Sequence, residues 1–211
     1  MYEYEQQLKT NGAKLVVGVD EAGRGPLAGP VVAGACILPD GFSIVGLNDS
    51  KLLSEEERDR IFQEILASDC DFGIGIAEVQ EIDRFNILKA SFLAMHRAIS
   101  RLKQKPCVIL VDGHLAPSFG IPTVPIVKGD SLSASIAAAS VLAKVTRDKI
   151  MKELALQFPQ YGFEEHKGYA TPSHLAMLQK FGPCAIHRKS FEPVKSMFIS
   201  SLENQMSLDF S

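Results

Sequence analysis

The stretch Leu15-Val16-Val17-Gly18-Val19-Asp20-Glu21 constrains this chain most, because a largely apolar, β-favouring run ends on two adjacent acids. Such a run buries itself as a strand, so it carries both carboxylates to the end of a buried element. Ala22-Gly23-Arg24-Gly25-Pro26 then reads as a glycine-rich turn, and Val31 to Leu38 is a second apolar run able to return as a neighbouring strand. Clustered ionised carboxylates repel one another and resist leaving water. A divalent cation beside them is the simplest compensation.

The rest of the chain predicts what surrounds that strand. Asp71 to Val79 alternates Phe72, Ile74 and Ile76 in strand fashion, so the sheet starts antiparallel. Ser54-Glu55-Glu56-Glu57 is a capping box that opens a helix through about Leu66, with Ile61, Phe62 and Ile65 on one face. A second helix is expected from about Asn86 to Leu102. Cys107 to Val111 and Pro122 to Val127 read as short strands leading into Asp112-Gly113-His114 and Lys128-Gly129-Asp130. From Ser131 to Phe158 the composition is helical, and the small residues of Ser135-Ile136-Ala137-Ala138-Ala139-Ser140 allow close packing on a sheet. Thr171-Pro172 starts another helix with proline at its first position. This order predicts an α/β fold, a mixed central sheet flanked by helices. At 211 residues, one domain over 1–190 is expected, followed by a small helical C-terminal extension over 191–211 whose end, from about Ser200, is a free tail.

Several function classes are excluded. The longest apolar runs fall well short of the ~18 residues that span a bilayer, and Met1-Tyr2-Glu3-Tyr4-Glu5 does not read as a secretory signal. The four cysteines, Cys36, Cys70, Cys107 and Cys184, form no Cys-x-x-Cys pair and read as reduced core residues of a cytoplasmic protein. A net charge of -3 argues against a protein that coats nucleic acid. The first 100 residues hold 9 Lys and Arg against 16 Asp and Glu, the remainder 13 against 9, so a local basic surface in the second half is compatible with the total. A monomer is expected.

Strand ends therefore supply four candidate acids: Asp20, Glu21, Asp112 and Asp130. Hard oxygen ligands without a His or Cys cluster favour Mg²⁺ or Mn²⁺ over zinc, and two such ions would clamp an in-line displacement at a phosphodiester. Taken singly, Asp112-Gly113 reads equally as a turn and Asp130 as the N-cap of the following helix. A non-catalytic binding module, with the acids as a structural cation site, is the alternative of a different class. Gly23-x-Gly25-x-x-Ala28 also matches a dinucleotide fingerprint, but Pro26, Gly29 and Pro30 break the helix such a site requires.

The segment Val19-Asp20-Glu21-Ala22-Gly23-Arg24-Gly25-Pro26-Leu27-Ala28-Gly29-Pro30-Val31-Val32-Ala33 resembles the signature of type II ribonuclease H, ribonuclease HII. Asn48-Asp49-Ser50-Lys51, Val111-Asp112-Gly113, Lys128-Gly129-Asp130, Tyr161-Gly162-Phe163 and His166-Lys167-Gly168-Tyr169 follow in the family order, over about residues 14 to 190. The resemblance implies a ribonuclease H-like fold and Mg²⁺- or Mn²⁺-dependent, two-ion cleavage of RNA in RNA-DNA hybrids. It also implies cutting 5′ of a single ribonucleotide in duplex DNA, leaving 3′-hydroxyl and 5′-phosphate ends. It assigns Asp20, Glu21, Asp112 and Asp130 as the catalytic acids. As metal ligands we expect them to divide the work, with Asp20 bridging both ions, Glu21 and Asp112 on the leaving-group ion, and Asp130 beside the attacking water. Type III relatives carry an extra N-terminal substrate-binding domain, and about 14 residues before the first strand favour type II.

Telling RNA from DNA means detecting one 2′-hydroxyl. Gly23 and Gly25 allow close backbone approach, and Arg24 supplies a fork for a phosphate. The resemblance adds Tyr169 against the sugar or base, where the residue alone reads as a partly buried core tyrosine. Lys51, Lys144 and Arg147 are candidate phosphate contacts, an ordinary solvated helix face being the alternative for the last two. His166 and His174 are set aside as capping or packing residues. Gln205-Met206-Ser207-Leu208-Asp209-Phe210 is similar to the short motif by which bacterial replication and repair proteins bind the sliding clamp, with Gln205, Met206, Leu208 and Phe210 as anchors. A tail packed on its own domain is the alternative.

Overall fold

A computed structural model describes residues 1–199. The helix α1 (Glu3–Thr10) leads into the acidic strand β1 (Val16–Ala22), which turns back as β2 (Val31–Ile37). The helix α2 (Glu55–Ala67), β3 (Asp71–Ala77), α3 (Val79–Phe85) and α4 (Ile87–Ser100) follow. Then come β4 (Val108–Asp112), β5 (Thr123–Ile126), the single turn α5 (Gly129–Leu132), the long α6 (Ala134–Gln157), α7 (Phe163–His166) and α8 (Pro172–Phe181). Residues 194–199 are helical.

The strands form one sheet in the order β3-β2-β1-β4-β5, antiparallel between β1, β2 and β3 and parallel between β1, β4 and β5. This is the expected mixed sheet flanked by helices. Helix α4 covers one face, packing Ala90, Ala94 and Ala98 on Val17, Val19, Ala33 and Ala35. Helices α6 and α2 cover the other, where Ala137 to Val141 meet Ile61, Phe62 and Ile65. The predicted capping box of α2 is present in both directions, and the Thr171 side chain caps α8 by accepting from the His174 amide.

Glycine sets the spacing of these layers. A Cβ on Gly18 would stand 2.1 Å from the Ser135 carbonyl carbon, and one on Gly34 2.2 Å from the Ala139 oxygen. On the other face, Gly73 and Gly75 admit the Ala98 and Ala94 carbonyls in the same way. Helix α6 thus lies with its backbone against the sheet, and residues Ala134 to Ala143 are all buried. One expectation is corrected here: Cys184 is half-buried and Cys107 exposed, the latter because it precedes β4 and bonds the Leu15 backbone instead of entering the core. Among the described residues no helix is long and apolar enough to cross a membrane.

Candidate active site

Register brings the acids together. Val19 pairs with Val111 across the parallel β1/β4 ladder, so Asp20 and Asp112 follow side by side, and both leave the sheet on the α6 face. Asp130 arrives from a different direction. Lys128 adopts a left-handed conformation (φ 57°), reversing the chain after β5 so that Asp130 sits on α5, not at a strand exit. Carboxylate oxygens of Asp20, Asp112 and Asp130 lie within 4.8 Å of one another. The alternatives for the last two resolve differently. Ser133, not Asp130, caps α6, whereas Asp112 does tie a turn, its Oδ1 accepting from the Gly129 amide at 2.7 Å while the carboxylate still faces the cluster.

Glu21 is not part of that cluster. Strand alternation sends its side chain to the α4 face, opposite Asp20, where it pairs with Arg24 at 3.1 Å. Both acids nonetheless line one cleft of about 530 Å³, with Asp112, Gly23, Arg24, Gly25, Lys51 and Tyr169. Burial, then the neighbouring Glu21 and Asp112 carboxylates, push the Asp20 carboxyl well up from the ordinary range. Burial also raises Glu21 against the opposing pull of Arg24, and burial plus the Asp130 charge raise Asp112. Three carboxylates clustered this closely, with no nitrogen or sulfur ligand among them, fit a divalent cation such as Mg²⁺ or Mn²⁺.

The basic candidates separate. Lys51 reaches the cluster, its Nζ 3.0 Å from Asp130 Oδ2 although the side chain is 73% exposed. Lys144 lines the cleft and pairs with Asp148 at 2.9 Å. Arg147 is corrected: it is 0% exposed and does not line this cleft. The α6 face carrying it lies under the 23–30 loop, where the guanidinium donates to the carbonyls of Pro30, Ala28 and Lys167. It therefore makes neither a phosphate contact nor a solvated face.

Tyr169 is 44% exposed, so it is not a core residue. Its ring stands 3.8 Å from where a Gly25 Cβ would be, on the loop side of the cleft. Beneath it lie His166 and His174, set aside above, and with His187 the second of them forms a chain. The His174 Nδ1–H donates to the Tyr169 carbonyl (2.8 Å), which leaves Nε2 to accept from the His187 Nε2–H (3.0 Å) and His187 Nδ1 to accept from the Cys184 amide (2.9 Å). His166 stacks on His174 with centroids 4.4 Å apart. Burial lowers His174 and takes His187 down to about 4, so both rings are neutral and hold these roles at pH 7.

Sequence reasoning missed two further groups. Ser140 sits beside Asp20 and bonds Ser50 at 2.9 Å, tying α6 to the Lys51 loop; the break it makes in the run of alanines was its only signal. Arg188 is wholly buried and bonds four carbonyls of the 23–30 loop. Flanked by His187 and Lys189, it carried no sequence signal that set it apart from a surface charge. The anchors Gln205, Met206, Leu208 and Phe210 lie outside the described residues.

Comparison with known proteins gives the family and the fold. Ribonuclease HII of Chlamydia caviae is 52% identical over 196 residues, 92% of each chain. Among solved structures, ribonuclease H2 from Pyrococcus horikoshii aligns with a TM-score of 0.71 and 27% identity, over 87% of this chain and 96% of its own. The PCNA:RNase HII complex from Archaeoglobus fulgidus gives 0.72 and 25%, over 84% and 95%. The family model described as Ribonuclease HII matches residues 17–194, which hold all four acids, the glycine-rich loop and Tyr169, and so this chain belongs to the ribonuclease HII family.

Proposed function

We propose that this cleft cuts duplex DNA on the 5′ side of a single embedded ribonucleotide, through two divalent ions held at Asp20, Asp112 and Asp130 with Glu21 alongside. Family membership supports the broader activity, metal-dependent endonucleolytic hydrolysis of the RNA strand of RNA-DNA hybrids. The observation that carries the finer reading is one cleft that sets the acid cluster opposite the Gly23–Gly25 backbone and the exposed Tyr169. Mg²⁺ or Mn²⁺ bound there would supply an activated water and stabilise the leaving oxygen. The chain's own groups do the rest. Arg24, Lys51 and Lys144 offset phosphate charge and set the register of the duplex. The backbone at Gly23 and Gly25 approaches the 2′-hydroxyl, and the Tyr169 ring lies against the sugar next to it. Hydrolysis breaks the P–O3′ bond, leaving a 3′-hydroxyl on the DNA and a 5′-phosphate on the ribonucleotide.

The test is a labelled DNA duplex with one ribonucleotide, incubated with Mg²⁺ or Mn²⁺. One nick 5′ of that residue is expected. Cutting confined to longer RNA runs, or binding without cutting, would overturn the reading. We also propose that Gln205, Met206, Leu208 and Phe210 attach the chain to a bacterial sliding clamp, on the tail pattern alone. Deleting residues 205–211 should abolish co-elution with a clamp and leave hydrolysis of a naked oligonucleotide intact; undiminished co-elution rejects it.

A further inference from the structure

The loop from Gly23 to Pro30 has few side chains to hold it, yet its shape decides what the cleft can recognise. Its anchor is a pair of buried arginines. Arg188 donates through Nη2 to the carbonyls of Gly23 (2.6 Å), Gly29 (2.9 Å) and Pro30 (3.3 Å), and through Nη1 to that of Arg24 (2.9 Å). Arg147 lies next to it, gripping Ala28 and Pro30, with its Nε 2.1 Å from where a Gly23 Cβ would be. Among the described residues every hydrogen-bond acceptor of the two is a backbone carbonyl, and Nη1 of Arg147 has no hydrogen-bond partner. Taking two guanidinium groups out of water with no bonded carboxylate is costly. So expensive an arrangement fixes a backbone that side chains on the loop could not.

Peptide planarity gives the consequence. In a trans peptide the carbonyl and the following N–H point in opposite directions, and the only cis bond among the described residues is Glu192-Pro193. With the Gly23 and Arg24 carbonyls drawn inward onto Arg188, the amides of Arg24 and Gly25 face away from it, toward the cleft that both residues line. We propose that Arg188, backed by Arg147, is a positioning residue for ribonucleotide selection: it aims those two amides outward so that they donate to the 2′-hydroxyl oxygen. This rests on the single-ribonucleotide reading above. A lysine would keep the charge but present its donors from one point, and could not span four carbonyls.

The experiment compares kcat/KM on duplexes carrying one ribonucleotide or, at the same place, one 2′-fluoro nucleotide, whose fluorine is a poor acceptor. Arg188→Lys is expected to lower the ribo-to-fluoro ratio by about tenfold or more, while Mn²⁺ affinity measured by calorimetry on the folded variant stays within about twofold. An equal loss on both substrates would mean a merely structural role and would overturn the proposal, as would an unchanged ratio. Should Arg188→Lys not fold, Arg147→Lys is read in the same assay, and an unchanged ratio there overturns it equally. A wild type that cuts neither duplex sinks the single-ribonucleotide reading itself, an outcome distinct from an intact ratio in the variant.

Discussion

Asp112→Asn should lose about a thousandfold or more in turnover and yet, without metal, melt at a higher temperature than the wild type. The two effects have one cause. Asp112 holds its charge between Asp20 and Asp130, and burial together with the Asp130 charge already pushes its carboxyl up. An asparagine retains an oxygen to accept the Gly129 amide, so the turn onto α5 stays closed. What disappears is the negative charge that a divalent cation needs and that the metal-free fold resists. The sign of the pH dependence follows. Asp20, Glu21 and Asp112 are all raised in the folded state, so above the ordinary carboxylate range the folded chain keeps protons that the unfolded chain has released. Their contribution to stability therefore falls as pH rises through that range toward the raised values, and stays low above them. The melting advantage of Asp112→Asn should accordingly grow with pH. Saturating Mg²⁺ or Mn²⁺ should reverse it, since the ion stabilises only the wild-type cluster, by ~2.7 kcal/mol at a hundred times the dissociation constant. Scanning calorimetry on both proteins, with and without metal, measures this; a variant that melts below the metal-free wild type would mean the three carboxylates do not repel in one pocket.

What the sequence made legible is what short-range chemistry writes plainly. Continuous apolar runs marked β1 and β2, apolar alternation marked β3, Ser54 and Glu57 marked the start of α2, and the acids after apolar runs marked the cluster. The failures share a different cause, since each depends on what a residue meets in space. Arg147 read as a surface charge and Arg188 went unnoticed because arginine is rarely buried; only the folded chain shows an array of inward carbonyls able to solvate them. Strand period already implied that Asp20 and Glu21 leave opposite faces, but adjacency in sequence suggested convergence. Asp130 looked like a strand-exit acid because nothing local announces the left-handed turn at Lys128. The Tyr169 backbone is tied to a histidine pair drawn from α8 and the segment after it, where no local pattern reaches.

Gly18→Ala should destabilise the fold by ~3 kcal/mol or more, one of the largest effects available to a single methyl group here. The backbone of Gly18 is not in the left-handed region, so alanine brings no conformational strain of its own. The cost is purely steric. The new methyl would lie 2.1 Å from the Ser135 carbonyl carbon and 2.2 Å from the Ile136 nitrogen, backbone atoms that no rotamer change can move. Helix α6 must lift off β1, and it carries Ser140 and Lys144 at the cleft and follows directly on α5 with Asp130. Activity should therefore fall with stability, which separates this variant from Asp112→Asn, where the two move in opposite directions. Gly34→Ala drives a methyl into the same helix at the Ala139 oxygen, 2.2 Å away. Once one methyl has raised α6, the second meets less resistance, so the double variant should lose clearly less than the two single losses together. Urea unfolding of the three variants measures this; strict additivity would mean that α6 yields locally at each glycine and does not rest on the sheet as one rigid element.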